Sequence, residues 1–154
     1  MGLRAVRWIM LCLLAGLSSL TSVAQAADLD LSAYKGKVVY LDFWASWCTP
    51  CRQSFPWMSQ IQQLDGPRGL VVIAVNVDHD KDLADAFLKR FAPQFKIIYD
   101  GKGEIAKRFG PKDMPTSFVI DRDGRIRYTH AGFYPNQLAT YAAHLEEVLN
   151  EPSH

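Results

Sequence analysis

Short apolar runs alternate along this chain with segments whose apolar residues recur every three or four positions. Residues 38–44 and 70–77 are the two clearest runs, rich in β-branched and aromatic side chains. Such runs are typical of strands that are buried on both faces of a sheet. The segments that follow them have the spacing of amphipathic helices. The pattern therefore predicts strands and helices in alternation.

Two helices are predicted to follow these two strands. The first spans residues 51–64, and its core-facing side chains are expected to be Phe55, Met58, Ile61 and Leu64. The second spans residues 80–91, with Asp80 as its N-terminal cap. Its core-facing side chains are expected to be Leu83, Phe87, Leu88 and Phe91.

The rest of the chain continues the alternation and ends in a hairpin and a helix. The pattern predicts a strand at 95–99, a helix at 104–109, strands at 116–120 and 125–131, and a helix from Pro135. Residues 121–124 (DRDG) form a strong hairpin turn between the last two strands. This order predicts an α/β fold: a mixed central sheet with helices on both faces, to which the hairpin adds antiparallel edge strands.

The first 26 residues have the three parts of a secretory signal peptide. Arg4 and Arg7 precede an apolar stretch at 8–17, which contains Cys12, and small residues then lead to Ala-Gln-Ala at 24–26. We predict cleavage after residue 26, a single domain at 27–154 and a periplasmic location. The alternative is an uncleaved membrane anchor, although the apolar stretch is short for a span of about 20 residues.

Charge and composition exclude some functions and leave others open. The 154 residues carry a formal net charge of +1, and removal of residues 1–26 takes away two of the 17 basic residues and none of the 16 acidic ones. A nearly neutral domain lacks the basic footprint of a nucleic-acid-binding protein. With 49% hydrophobic and 21% charged residues, the composition is that of an ordinary globular domain.

Cys48 and Cys51 lie where the first buried strand gives way to the first helix. The free N–H groups and the positive dipole end of a helix N-terminus favour a thiolate over a thiol. Cys48 is therefore expected to be the exposed, attacking sulfur with a depressed pKa, and Cys51 the more buried thiol that resolves the mixed disulfide. Pro50 between them suits a first helical turn.

Two other uses of the cysteine pair are less well supported. A structural zinc site needs further ligands, but His79, His130, His144 and His154 are scattered singly. An inert pair would simply close in an oxidising compartment. We expect no metal and no cofactor apart from a redox-active Cys48–Cys51 disulfide. His79, flanked by two aspartates, is interpreted as part of a solvated loop with a helix cap rather than as a cation site.

Asp42 interrupts an otherwise apolar strand that is expected to be buried. Burial of a carboxylate is costly and raises its pKa. One interpretation is a buried proton acceptor that helps Cys51 to lose its proton. The other is an acid at a strand end, hydrogen-bonded to the backbone or to Lys37.

Aromatic residues crowd the cysteine pair, and a proline precedes a later strand. Trp44 is expected in the core, whereas Trp47 is either a core residue or an exposed contact surface for a partner. Met114 and Pro115 lead into the strand that begins at Thr116, where a proline is tolerated. Cis bonds are too rare before proline for the sequence alone to predict one here.

Residues 42–51 (DFWASWCTPC) resemble the active-site stretch of thioredoxins, and Met114-Pro115-Thr116 resembles their cis-proline motif. The signal peptide, Phe55-Pro56, and the strand at 74–78 with an extra helix are similar to exported thioredoxin-like reductases of the TlpA/ResA type. This resemblance implies a thioredoxin-like three-layer sandwich with a βα insertion. The chain has Ser54 where ResA-type members carry glutamate, and Asp42 where many exported members carry asparagine.

The resemblance also implies a function. A periplasmic reductase of this type would take electrons from a membrane thiol donor and pass them to disulfides in client proteins, usually in cytochrome c maturation or copper-site assembly. Trp47, Pro50, Met114, Pro115 and Thr116 would bind substrate, and we expect a monomer. The alternatives are a periplasmic disulfide oxidant or isomerase, and a chaperone that holds Cu(I) with the same cysteine pair.

Overall fold

The computed structural model describes residues 29–152, and the predicted signal peptide lies outside the described residues. The five strands are β1 Val38–Trp44, β2 Leu70–Asn76, β3 Lys96–Tyr99, β4 Thr116–Ile120 and β5 Ile126–Ala131. The four α-helices are α1 Thr49–Asp65, α2 Lys81–Phe91, α3 Glu104–Phe109 and α4 Leu138–Asn150. Within residues 29–152, no helix is both long enough and apolar enough to cross a membrane.

The strands form one mixed sheet in the order β3-β2-β1-β4-β5. β1, β2 and β3 run parallel, whereas β4 is antiparallel to β1 and β5 is antiparallel to β4. The predicted mixed sheet is confirmed, and β3 after α2 supplies the expected βα insertion at its edge. The prediction that both hairpin strands lie at the edge is wrong for β4. β4 pairs with β1 on one side and with β5 on the other, so it takes an interior place, where all five of its residues are buried, and β5 alone forms that edge.

Successive residues of β1 point to opposite faces of the sheet and divide the core in two. Val38, Tyr40 and Trp44 pack on the face covered by α1, α2 and α4. Val39, Leu41 and Phe43 pack on the face covered by α3 and the short 3-10 helix Leu31–Tyr34. Helices therefore cover both faces, and the thioredoxin-like three-layer sandwich is confirmed. We call the two sides the cysteine face and the α3 face.

Two leucines that were expected in the core are on the surface. Leu64 is 63% exposed and Leu83 is 53% exposed. The buried residues of α2 are Ala84 and Phe87. Only part of the apolar stripe of α2 therefore contacts the core, and Leu83 lies outside that part. Leu64 lies in the last turn of α1, beyond Ile61, which is the last buried residue of that helix.

Candidate active site

The cysteine pair forms a disulfide at the N-terminus of α1. The Cys48 and Cys51 Sγ atoms are 2.04 Å apart and their Cα atoms 5.3 Å apart. Cys48 is the N-cap of α1, and its Sγ accepts a hydrogen bond of 3.2 Å from the backbone N–H of Cys51. Pro50 lies in the first turn, where its missing N–H leaves no bond unmade. The same N–H groups favour a thiolate at Cys48 once the disulfide is opened.

Cys48 is more buried than the sequence predicts. Cys51 is fully buried, as expected, but Cys48 is only 3% exposed. The expectation of an exposed sulfur is wrong for this disulfide-bonded form. Cys48 is turned toward the helix N-terminus and joins the cluster that contains Trp44 and Phe55.

Asp78 fixes the loop that leads from β1 to Cys48. Its carboxylate accepts hydrogen bonds from the backbone N–H and the hydroxyl of Ser46, at 2.8 and 3.0 Å, and from the side chain of Asn76 at 2.7 Å. Sequence reasoning missed this role. A signal was present, because Asn76 and Asp78 close the buried strand that pairs with β1 and therefore end beside the cysteine loop.

Asp42 lies within β1 and is fully buried. Neither oxygen has a hydrogen-bond partner among residues 29–152, so the alternative of an acid bonded to the backbone or to Lys37 is wrong. Burial raises the pKa of Asp42 to about 8, and the nearby Ser117 hydroxyl offsets only part of the rise. Its position between Tyr40 and Trp44 places the carboxyl group on the cysteine face.

Pro115 lies at the same end of the sheet as the disulfide. The Met114–Pro115 bond is cis, as in the motif that residues 114–116 resemble. Thr116 pairs with Phe43 in the antiparallel register, so Pro115 is level with the end of β1. Gly132 donates its N–H to the Pro115 carbonyl at 2.7 Å, and its positive φ of 80° favours glycine at that point.

Other predicted site residues flank this centre. Met114 is half-buried and packs against the cluster that contains both cysteines. The Thr116 hydroxyl donates to the Asp113 carbonyl at 2.7 Å. Trp47 is 67% exposed, which favours its interpretation as a contact surface, whereas Trp44 is fully buried as predicted.

The remaining candidate residues make local contacts. The exposed His79 places Nδ1 2.8 Å from the Gly101 carbonyl oxygen, and Asp80 caps α2 by accepting from the N–H of Asp82. No three His, Cys, Asp or Glu side chains are grouped to hold a metal in the part of the chain from 29 to 152. Ser54, which replaces the glutamate of ResA-type members, is buried and donates to the Cys51 carbonyl at 3.1 Å.

The sequence profile of the redoxin family matches residues 18–145. The chain belongs to the redoxin family. It is 36% identical over 102 residues to the thiol-disulfide oxidoreductase ResA of Bacillus thuringiensis subsp. konkukian, covering 66% of this chain and 59% of that protein. ResA of Geobacillus thermodenitrificans is 31% identical over 118 residues, covering 77% of this chain and 67% of that protein. The alignment thus spans about three fifths of the Bacillus relative.

Solved structures agree with this assignment. A Chlorobium tepidum protein assigned as a thiol:disulfide interchange protein DsbE superposes with a TM-score of 0.76 at 45% identity, covering 78% of this chain and 85% of that one. StoA from Bacillus subtilis superposes with a TM-score of 0.60 at 28% identity, covering 70% and 84%. The predicted membership of the thioredoxin superfamily is confirmed, and the names of these relatives give thiol–disulfide exchange as their own chemistry.

Proposed function

We propose that the whole protein is an exported thiol–disulfide oxidoreductase that reduces disulfides in periplasmic client proteins. The observation that carries this proposal is the Cys48–Cys51 disulfide at the N-terminus of α1, with Cys48 as the capping residue. That position stabilises the thiolate needed for attack. The names of the ResA and DsbE relatives support the same chemistry.

Client reduction proceeds in two exchanges. The Cys48 thiolate attacks one sulfur of the client disulfide, forms a mixed disulfide and releases the other client sulfur as a thiolate. Cys51 then loses its proton and attacks Cys48 Sγ. The products are the Cys48–Cys51 disulfide and a client with two thiols, so two electrons pass from the protein to the client.

Asp42 is the proton acceptor for the second exchange in this proposal. It lies on the cysteine face and has no competing hydrogen-bond partner among residues 29–152. In the disulfide form burial raises its pKa to about 8, so at pH 7 the carboxyl group mostly keeps the proton that it has taken from Cys51. The oxidised protein therefore holds a proton that Asp42 can return to Cys51 when a reductant opens the disulfide.

Trp47, Pro50 and residues 114–116 form the proposed contact surface for clients. Trp47 offers an exposed aromatic face beside Cys48, and residues 114–116 lead into the end of β4 that adjoins β1. The predicted signal peptide supports export, and a membrane thiol donor would restore the dithiol. The protein would act as a monomer without another cofactor.

The reduction potential of the Cys48–Cys51 pair tests the direction of electron flow. Purified protein is equilibrated against thiol buffers of graded potential, and the fluorescence of Trp44, which is buried in the same cluster as both cysteines, reports the redox state. A Cys48→Ser variant shows whether the signal depends on the disulfide. A potential near or below about −230 mV supports a reductase. A potential above about −180 mV would contradict it and indicate an oxidant or isomerase.

A further inference from the structure

A row of polar side chains crosses the sheet on the cysteine face. Asp42 of β1 is paired in register with Ser117 of β4, and Ser117 is paired with His130 of β5. Side chains paired in this way on neighbouring strands lie on the same face and next to each other. His130 then meets α4, with its ring 4.7 Å from that of Tyr141. The row therefore runs from the buried carboxyl group to the edge of the sheet.

Two groups in this row lack hydrogen-bond partners, and Ser117 stands between them. Both oxygens of Asp42 and Nδ1 of His130 are buried without a partner in the described part of the chain. Ser117 accepts a hydrogen bond of 2.7 Å from the Tyr40 hydroxyl, and its own hydroxyl acts on the Asp42 carboxyl group, where it offsets part of the rise in pKa. A hydroxyl has one proton and two acceptor sites. Ser117 is thus equipped to donate to Asp42 and to accept from His130.

The outer end of the row is a pair of imidazoles. Nε2 of His130 lies 3.0 Å from Nδ1 of His144, which is half-buried on α4. The His144 ring stacks on Tyr128 at 3.9 Å, and the Tyr128 hydroxyl donates to Glu147 at 2.7 Å. The hydrogen-bonded pair therefore connects the buried side of His130 with the more accessible His144.

We propose that Ser117, His130 and His144 form a proton path between solvent and Asp42, an inference that rests on the proposed function. When a thiolate opens the disulfide, Cys51 leaves as a thiolate and takes the proton of Asp42. The path then returns one proton to the carboxylate.

Each group on the path gains one proton and loses one. Solvent protonates Nε2 of His144, whose Nδ1–H passes to Nε2 of His130. The Nδ1–H of His130 passes to Ser117, whose own proton passes to Asp42. The net result is one proton moved from solvent to Cys51 Sγ, and no electrons travel along the path. Closure of the disulfide runs the same steps in reverse.

The protonation state of His130 suits this role. Burial, and secondarily the adjacent His144, lower its pKa to about 4, so the ring is neutral at pH 7. A neutral imidazole has one N–H and one free lone pair, and it can accept a proton on one side while donating on the other. The Tyr40 hydroxyl, whose pKa burial raises well above its ordinary value, and the Tyr141 ring also face the row.

Stopped-flow reduction of the disulfide by dithiothreitol at pH 7 tests the path, with tryptophan fluorescence as the signal. Ser117→Ala and His130→Ala are each expected to slow reduction about tenfold in dilute buffer. Added imidazole should restore the rate of His130→Ala and leave the wild type unchanged. Ser117→Thr keeps the hydroxyl and should keep the rate. His79→Ala, which removes an exposed histidine elsewhere, is the matched control.

The outcomes separate this inference from the proposed function. If the wild type is reduced rapidly but Ser117→Ala and His130→Ala match it, no proton path exists and the oxidoreductase proposal stands. If both variants are slow, imidazole does not help and Ser117→Thr is equally slow, the residues act only in packing and the inference is wrong. A Ser117→Ala/His130→Ala double variant no slower than either single variant supports one serial path. If the wild type itself exchanges no disulfide, the proposed function fails first.

Discussion

The two faces of the central sheet differ in the polarity of the side chains that they bury. The α3 face packs a cluster of ten buried apolar residues: Leu29, Val39, Leu41, Phe43, Ile73, Val75, Ile98, Ile105, Phe118 and Ile120. The cysteine face buries Tyr40, Asp42 and Ser117 within its core. Every buried side-chain polar atom without a hydrogen-bond partner in residues 29–152 lies on this face, on Asp42, Trp44 and His130.

The difference fits the chemistry proposed for the cysteine face. An unpaired buried polar group costs roughly 1–3 kcal/mol of stability, and more when it is charged. The α3 face avoids that cost, and its buried Thr116 is hydrogen-bonded to the Asp113 carbonyl. On the cysteine face, the unpaired polar atoms of Asp42, Trp44 and His130 lower the stability of the fold. We infer that the α3 face mainly stabilises the fold. On the cysteine face, the unpaired polar groups lower stability but allow proton transfer.

The largest expected effect on activity comes from removing either sulfur from the cysteine face. Cys48→Ser should abolish reduction of a client disulfide, because no nucleophile remains. Cys51→Ser should trap a mixed disulfide through Cys48, since the resolving thiol is missing. Non-reducing gel electrophoresis with mass spectrometry distinguishes the two. Normal turnover by Cys51→Ser would show that the roles are wrongly assigned.

A cavity on the α3 face should affect stability alone. Phe43 is fully buried, and its ring centroid is 5.7 Å from that of Phe109 and 6.0 Å from that of Phe118. Phe43→Ala is expected to lower the free energy of unfolding by about 3–5 kcal/mol. The reduction potential of the folded variant should stay unchanged. Urea unfolding and redox titration measure the two quantities, and a shifted potential would show that the faces are coupled.

Asp42→Asn should raise stability and remove a pH dependence. The ordinary pKa of 3.8 applies in the unfolded chain and burial raises it to about 8 in the fold. The folded protein therefore keeps a proton that the unfolded chain releases, so the contribution of Asp42 to stability is greatest below pH 4 and falls as the pH rises toward 8. At pH 7 the loss is up to about 4 kcal/mol. Plotted against pH, the free energy of unfolding of the variant should lack the fall that Asp42 causes in the wild type, and an unchanged slope would place the titration elsewhere.

The smallest stability effect is expected at Trp47, which extends the cysteine face into solvent. Trp47→Ala should change the free energy of unfolding by no more than about 0.5 kcal/mol. It should lower kcat/KM for a protein disulfide about fivefold by removing a contact. Dithiothreitol, which is too small to use that contact, should react at the wild-type rate. An equal loss with both reductants would point to a disturbed disulfide instead.

Much of the fold was predictable because each element has its own local pattern. The strands at 38–44 and 70–76 and the helices that follow them have distinct periodicities, and the cysteine pair falls at a junction that the pattern already marks. Asp42 was identifiable for the same reason, as one charge in an apolar run.

The features that the sequence did not predict depend on contacts between segments that are distant in sequence. The interior place of β4 depends on its pairing with β1, and the burial of Cys48 depends on the hydrogen bond and disulfide at the start of α1. His130 looked like an isolated histidine because its partners, Ser117 and His144, are 13 and 14 positions away in sequence. Only the sheet register and the packing of α4 bring them together.

The 3% exposure of Cys48 limits which partner shapes can reach this residue. A cysteine with so little open surface can be approached from a narrow range of directions, so we expect a flat, rigid partner to react slowly. A partner must offer its cysteine on a protruding or pliable segment, as incompletely folded chains do. We infer that mechanical compliance of the partner, rather than a sequence motif in it, governs access to Cys48.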